Sequence, residues 1–176
     1  MIRLTPQGLN FKGKTYPCTV GRGGLTSSKR EGDGATPTGL HRITGMYHRP
    51  DRIAHAPRWS TPIGPRDLWC DDSNHPDYNH PVRAPFTASH EALRRADPLY
   101  DLILITDWNY PDATPHTGSA IFLHTWRRIT FPTAGCIALR QDHLLDLAQR
   151  IAPNEPLLIP KLPRFRPRGH AATDTV

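Results

Sequence analysis

His124 and Cys136 are the two residues best placed to do chemistry together. They stand in FLHTWRRITFPTAGCIAL, where an apolar strand ends in the histidine and a basic loop leads to a Gly-Cys pair and a second apolar stretch. That order hangs an imidazole from the rim of a sheet and brings a thiol back beside it. Cysteine attacks as the thiolate, and an adjacent imidazole can take its proton. Gly135 permits close backbone approach, so the amides of Gly135 and Cys136 can point at a developing oxyanion. Arg127 and Arg128 add positive potential, which is expected to favour the thiolate. The competing reading is packing: cysteine in an apolar context is often a small buried hydrophobe, and one His with one Cys is a short motif.

The surrounding segments add specificity. His124 followed by Thr125, then Thr133, Gly135, Cys136 and Ile137, resembles the signature of the YkuD-type L,D-transpeptidases. The upstream EGDGATPTGLHRI resembles the Gly-rich stretch with an ATPxG pattern that precedes a strand in that family. WCDDSNHPDYNHPV and GSAIFLH look like a branch whose loop supplies polar groups to the cleft. The resemblance runs from about Val20 to Leu158. Two positions depart from the family pattern: Ala134 replaces a histidine before the Gly-Cys, and Ala138 replaces an arginine two positions after it. The His-to-Cys interval is also shorter than in many members.

The resemblance implies a single, mostly β catalytic domain with short helices, β-sandwich-like, over residues 1–160, and a flexible basic tail over 161–176. It implies a thioester on Cys136, proton transfer by His124, and attack by an amine to crosslink peptidoglycan stems containing meso-diaminopimelate. Water as acceptor would instead give a carboxypeptidase or endopeptidase. Tyr78, Asn79, Trp126, Arg128, Thr133 and Arg140 are the residues expected to bind substrate. Arg140, Arg128 or Arg83 would replace the missing guanidinium. A backbone carbonyl is expected to orient the imidazole, with Asp71 or Asp72 as the alternative. No cofactor, nucleic acid or stable protein partner is expected, and the implied location is the periplasm or cell envelope.

The elements needed to position the pair are partly readable. DLILIT and GSAIFLH read as central strands, with Gly135 to Leu139 as a third. From Asp142 to Ile151 the apolar residues Leu144, Leu147, Ala148 and Ile151 share one helical face, with Asp142 as cap. LLIP supplies a last strand, and Leu40 to Met46 an earlier one. SHEALRRADP reads as a short helix capped by Ser89. Residues 50–85 read as one long loop, ordered because it holds Trp59, Trp69 and Tyr78, and forming a lid or cleft wall.

Composition narrows the class. Nineteen prolines and thirteen glycines argue against a bundle of long helices. The formal charge of +6 suits an anionic partner, but the basic residues are scattered and lack any recognition-helix or finger spacing. Three cysteines cannot all pair within the chain. Cys70, Asp71, Asp72 and His75 raise the question of zinc without a recognised ligand spacing. The Gly-rich segment matches neither phosphate-loop pattern. MIRLTPQGLNFKGKTYP lacks the apolar core of a signal peptide, so an envelope location is expected by resemblance alone. A non-catalytic module that binds cell-wall peptide remains the rival from another class.

Overall fold

The computed structural model of the protein describes residues 1–162 and Phe165. The chain opens with β1 (Ile2–Thr5), β2 (Gly8–Phe11), β3 (Lys14–Tyr16) and β4 (Cys18–Thr19), and a small parallel pair follows, β5 (Leu25–Thr26) with β6 (Thr36–Pro37). Next come the long β7 (Gly39–His48) and β8 (Thr61–Pro62), then β9 (Asp67–Cys70), β10 (Pro81–Arg83) and β11 (His90–Ala92). A single 3-10 turn, Pro98–Tyr100, precedes β12 (Leu102–Thr106), β13 (Phe122–Thr125) and β14 (Ile137–Leu139). Helix α1 (Gln141–Arg150) and β15 (Glu155–Ile159) complete it.

The main sheet runs β3-β2-β1-β15-β7-β12-β13-β14-β4, with β8 also paired to β7. Its two edge strands, β3 and β4, are separated in sequence only by Pro17. The sheet therefore curls until its edges nearly meet, giving a barrel-like form that removes most of the exposed edge.

Both faces of its centre are covered. Along β12, Leu102 and Leu104 enter a core that also holds Ile2, Phe11, Leu123, Ile137 and Leu139, while Ile103 and Ile105 face a second core with Trp69, Leu93, Tyr100 and Phe122. The period of two explains why LILI is an unbroken apolar run. Helix α1 seals the first face with Leu144, Leu147 and Ala148, each fully buried. The leucines contribute about 2 kcal/mol apiece. The antiparallel sheet β10-β9-β11 accompanies the second face through Trp69, whose ring meets Phe122 edge-on at 5.0 Å.

Three expectations change. SHEALRRADP is not a helix: His90–Ala92 pairs with β9, Glu91 opposite Trp69. Its one large apolar side chain, Leu93, has no partner at helical spacing, and cross-strand pairing buries it instead. The stretch 50–85 is ordered but carries β8, β9 and β10. Arg140, not Asp142, occupies the cap position of α1, without a capping hydrogen bond, while Asp142 lies in the first turn. Most of the expected tail lies outside the described residues; Leu162 and Phe165 pack against the first core. Among the described residues no helix is long and apolar enough to cross a membrane.

Candidate functional site

The site grows from the parallel pairing of β13 with β14. Leu123 lies opposite Ile137 and His124 opposite Ala138, so continuing the register sets Cys136 beside Phe122. Alternation then turns His124 and Cys136 to the same face, the one that carries the second core. Both line a cleft of about 420 Å³, with Arg22, Glu91, Arg95, Leu99, Tyr100, Trp126, Arg127, Phe131, Thr133 and Ala134 around them.

The backbone at Cys136 is held by residues far away in sequence. The Thr36 hydroxyl donates to Gly135 O at 2.7 Å and accepts from Gly21 N at 2.9 Å, tying the ATPTG segment to the cysteine turn. Thr133 Oγ1 donates to Cys136 O at 2.6 Å and accepts from Gly135 N at 3.1 Å. Gly135 has φ +144, and a Cβ there would come within 3.0 Å of Ala35 O. Glycine is therefore required for shape as well as for approach. The Gly135 amide, one of the two expected to meet an oxyanion, is already engaged by Thr133.

The imidazole is set by a main-chain group. His124 Nδ1 lies 2.8 Å from Thr125 O. A carbonyl only accepts, so Nδ1 carries the hydrogen and Nε2 is left as the basic nitrogen. The orienting group is thus a backbone carbonyl, and neither Asp71 nor Asp72 bonds the ring. Tyr100 packs edge-on against the imidazole at 5.3 Å.

The thiol is engaged elsewhere. Cys136 Sγ donates to Ala120 O at 3.0 Å and accepts from Phe122 N at 3.4 Å. Burial, reinforced by the Glu91 carboxylate, pushes the thiol up to about 12. Burial also lowers His124 to about 4, against the opposing pull of the Thr125 carbonyl. The resting pair is a neutral thiol and a neutral imidazole. The expectation that nearby arginines favour the thiolate does not hold at rest: burial dominates, and the cation that opposes it is Lys29.

The residues expected to bind substrate divide. Trp126 and Thr133 line the cleft with the pair. Tyr78 and Asn79 are buried scaffold. Asn79 Oδ1 accepts from Trp69 Nε1 at 3.0 Å and Ala120 N at 2.9 Å, while Nδ2 donates to Trp108 O and Asn109 O. Its hydrogen-bonding capacity is used up, and through the Ala120 amide it holds the residue whose carbonyl accepts the thiol's hydrogen bond. Tyr78 donates to Glu31 and accepts from Gly118 N. Arg140 is exposed and held by Asp142 at 2.6 Å, Arg83 pairs with Asp67, and Arg128, itself outside the cleft lining, lies 5.8 Å from the ring of Phe131, which Arg127 approaches at 5.4 Å. The guanidinium groups that do face the cleft belong to Arg22, Arg95 and Arg127. Glu91 and Tyr100 were missed because the segment between Ser89 and Pro98 read as a helix. Among the described residues no three His, Cys, Asp or Glu side chains converge as a metal site.

A model of the L,D-transpeptidase catalytic domain, YkuD, matches residues 7–159, most of the chain. No curated protein matches it.

Proposed function

The chain belongs to the YkuD L,D-transpeptidase catalytic domain family, and from that membership we propose that it crosslinks peptidoglycan stems through a thioester on Cys136. An enzyme of this family acts on peptidoglycan, so the substrate lies in the cell envelope, and the periplasm is our reading of its location. The observation that carries the proposal is the shared cleft: a thiol and an imidazole on one sheet face, with the imidazole's tautomer set by Thr125 O.

In the first half-reaction the donor carbonyl, at an L-centre, enters beside Cys136. The thiol hydrogen leaves Ala120 O for His124 Nε2 as sulfur attacks, and the new oxyanion meets the Cys136 amide. The carbon–nitrogen bond of the D-terminal residue breaks, and the leaving amine takes the proton from His124. In the second, an acceptor amine attacks the thioester carbonyl, the carbon–sulfur bond breaks, and a proton returns through His124 to sulfur. Keeping both groups neutral until substrate arrives limits side reactions of a free thiol. Our reading assigns stem carboxylates to Arg22 and Arg127 because both line the cleft.

The test is product analysis. Wild type and Cys136→Ala are incubated with disaccharide tetrapeptide carrying meso-diaminopimelate. Crosslinked dimer from wild type alone supports the reading. Tripeptide without dimer would make the protein a hydrolase, and no product from either would leave a binding module.

A further inference from the structure

Glu91 is an unusual wall for a cleft that receives anionic peptides. It is the carboxylate among the lining residues, and among the described residues no ion pair neutralises it. Arg95, the nearest candidate, is taken bidentately by Asp97 at 2.7 and 2.8 Å. Glu91 instead accepts a hydrogen bond from the Tyr100 phenol, a neutral partner. Its carboxylate bears on the nucleophile, since it adds to the burial that raises the Cys136 thiol, and burial raises Glu91 itself against the hydrogen bond from Tyr100. A half-buried carboxylate with only a neutral partner costs stability and is retained where a ligand completes it. The same cleft is lined by Arg22, whose backbone amide bonds Thr133 O, and by Arg127 from the loop after β13. Neither forms an ion pair among the described residues.

One acidic group and two guanidinium groups that form no ion pair among the described residues line the same cleft, a set that matches a zwitterion. We propose that Glu91, held by Tyr100, receives the ammonium of the acceptor while Arg22 and Arg127 receive its carboxylate, so the second half-reaction selects an amino-acid head that bears both groups on one carbon. This rests on the acyl-transfer reading above. The D-centre of meso-diaminopimelate has that chemistry. The ammonium releases one proton to solvent by way of the Glu91 carboxylate, and the amine nitrogen then attacks the thioester. The carbon–nitrogen bond forms, the carbon–sulfur bond breaks, and a second nitrogen proton passes through His124 to the Cys136 sulfur.

The experiment compares two nucleophiles on the full chain acylated by a tetrapeptide stem. One is the side-chain amine of a diaminopimelate tripeptide, an ammonium at neutral pH; the other is hydroxylamine, largely uncharged there. Mass spectrometry gives the ratio of the two products. Glu91→Gln is expected to lower the ratio of amine to hydroxylamine product by about tenfold or more. An unchanged ratio from a competent acyl-enzyme overturns the assignment of Glu91 while leaving the thioester intact. Failure of wild type to acylate overturns the transferase reading and this inference with it. A second measurement needs no variant. Tripeptide trimethylated at that nitrogen is expected to compete with the acceptor on wild type, whereas the acetylated tripeptide does not; equal competition by both, or none by either, overturns the proposal.

Discussion

Cys18 on β4 and Cys136, just ahead of the neighbouring β14, are buried thiols, and burial pushes each up to about 12. Cys18 lies on β4 opposite Leu139 and is fully buried in the first core with Leu9 and Leu139. Cys136 precedes β14 and turns to the other face, where the same burial is broken by a cleft that also holds His124. A raised thiol therefore does not separate nucleophile from filler. What separates them is the sheet face: one side offers only apolar packing, the other an imidazole, a hydrogen-bond acceptor for the thiol proton, and room for substrate.

The comparison is broken most sharply by removing each sulfur. Cys136→Ala is expected to abolish acylation, a loss of at least about 10³-fold in turnover. Cys18→Ala should leave turnover within about twofold and cost about 1 kcal/mol of stability, read by denaturant melts. If Cys18→Ala removed acylation as completely, the distinction between the faces would fail. His124→Asn should lower kcat/KM by about 10²- to 10⁴-fold, measured with the same stem.

A smaller effect is expected at the clamp. Thr36→Val leaves Gly135 O and Gly21 N without their buried partner and should cost about 1–3 kcal/mol in denaturant melts. Turnover should fall with it, whereas the mirror change on the other face, Cys18→Ala, should not affect turnover.

pH sharpens the same contrast. The unfolded chain protonates His124 near pH 6.5, but the folded chain does so only near 4. Stability from this group is fully present above 6.5 and is lost as pH falls toward 4. His124→Asn should flatten that loss by up to about 3 kcal/mol, measured by melts across the window. The acid limb of kcat/KM should fall near 4 rather than 6.5. At the other end, alkylation of Cys136 in the resting protein should climb about tenfold per pH unit through pH 9, since the reactive fraction is thiolate. A plateau near neutrality would mean a preformed thiolate–imidazolium pair. Slow alkylation at neutral pH thus does not mark a mere binder, because a buried resting nucleophile is slow as well. The smallest effect belongs to Arg140→Ala, expected to change turnover by less than about twofold because the side chain is exposed and bound to Asp142.

What could be read from the residues follows the range of the interactions. DLILIT, FLH and GCIAL declare central strands through local apolar runs, and α1 declares itself through Leu144, Leu147 and Ala148 at helical spacing. His124 and Cys136 were readable because two adjacent strands carry them only twelve residues apart. The wider cleft was not. Glu91 meets Tyr100 only because β11 pairs with β9, and the Ser-His-Glu start with two following arginines mimics a capped helix. Arg22 reaches the cleft because its amide bonds Thr133 O, more than a hundred residues away. Thr36 lay within a visible ATPTG motif, but only the fold shows that its hydroxyl joins Gly21 to Gly135. Asn79 and Tyr78 were polar and aromatic in a lid-like segment, which resembles a substrate grip until their hydrogen bonds are counted.

The central claim is the covalent bond to Cys136 on the cleft face, and it is tested most directly by locating the acyl group. Wild type is incubated with tetrapeptide stem, quenched in acid, weighed intact and digested for peptide mapping. The expected result is one added donor mass, carried on the peptide containing Cys136 and absent from Cys136→Ala. An adduct on Cys18 or Cys70, or full turnover by Cys136→Ala, would contradict it.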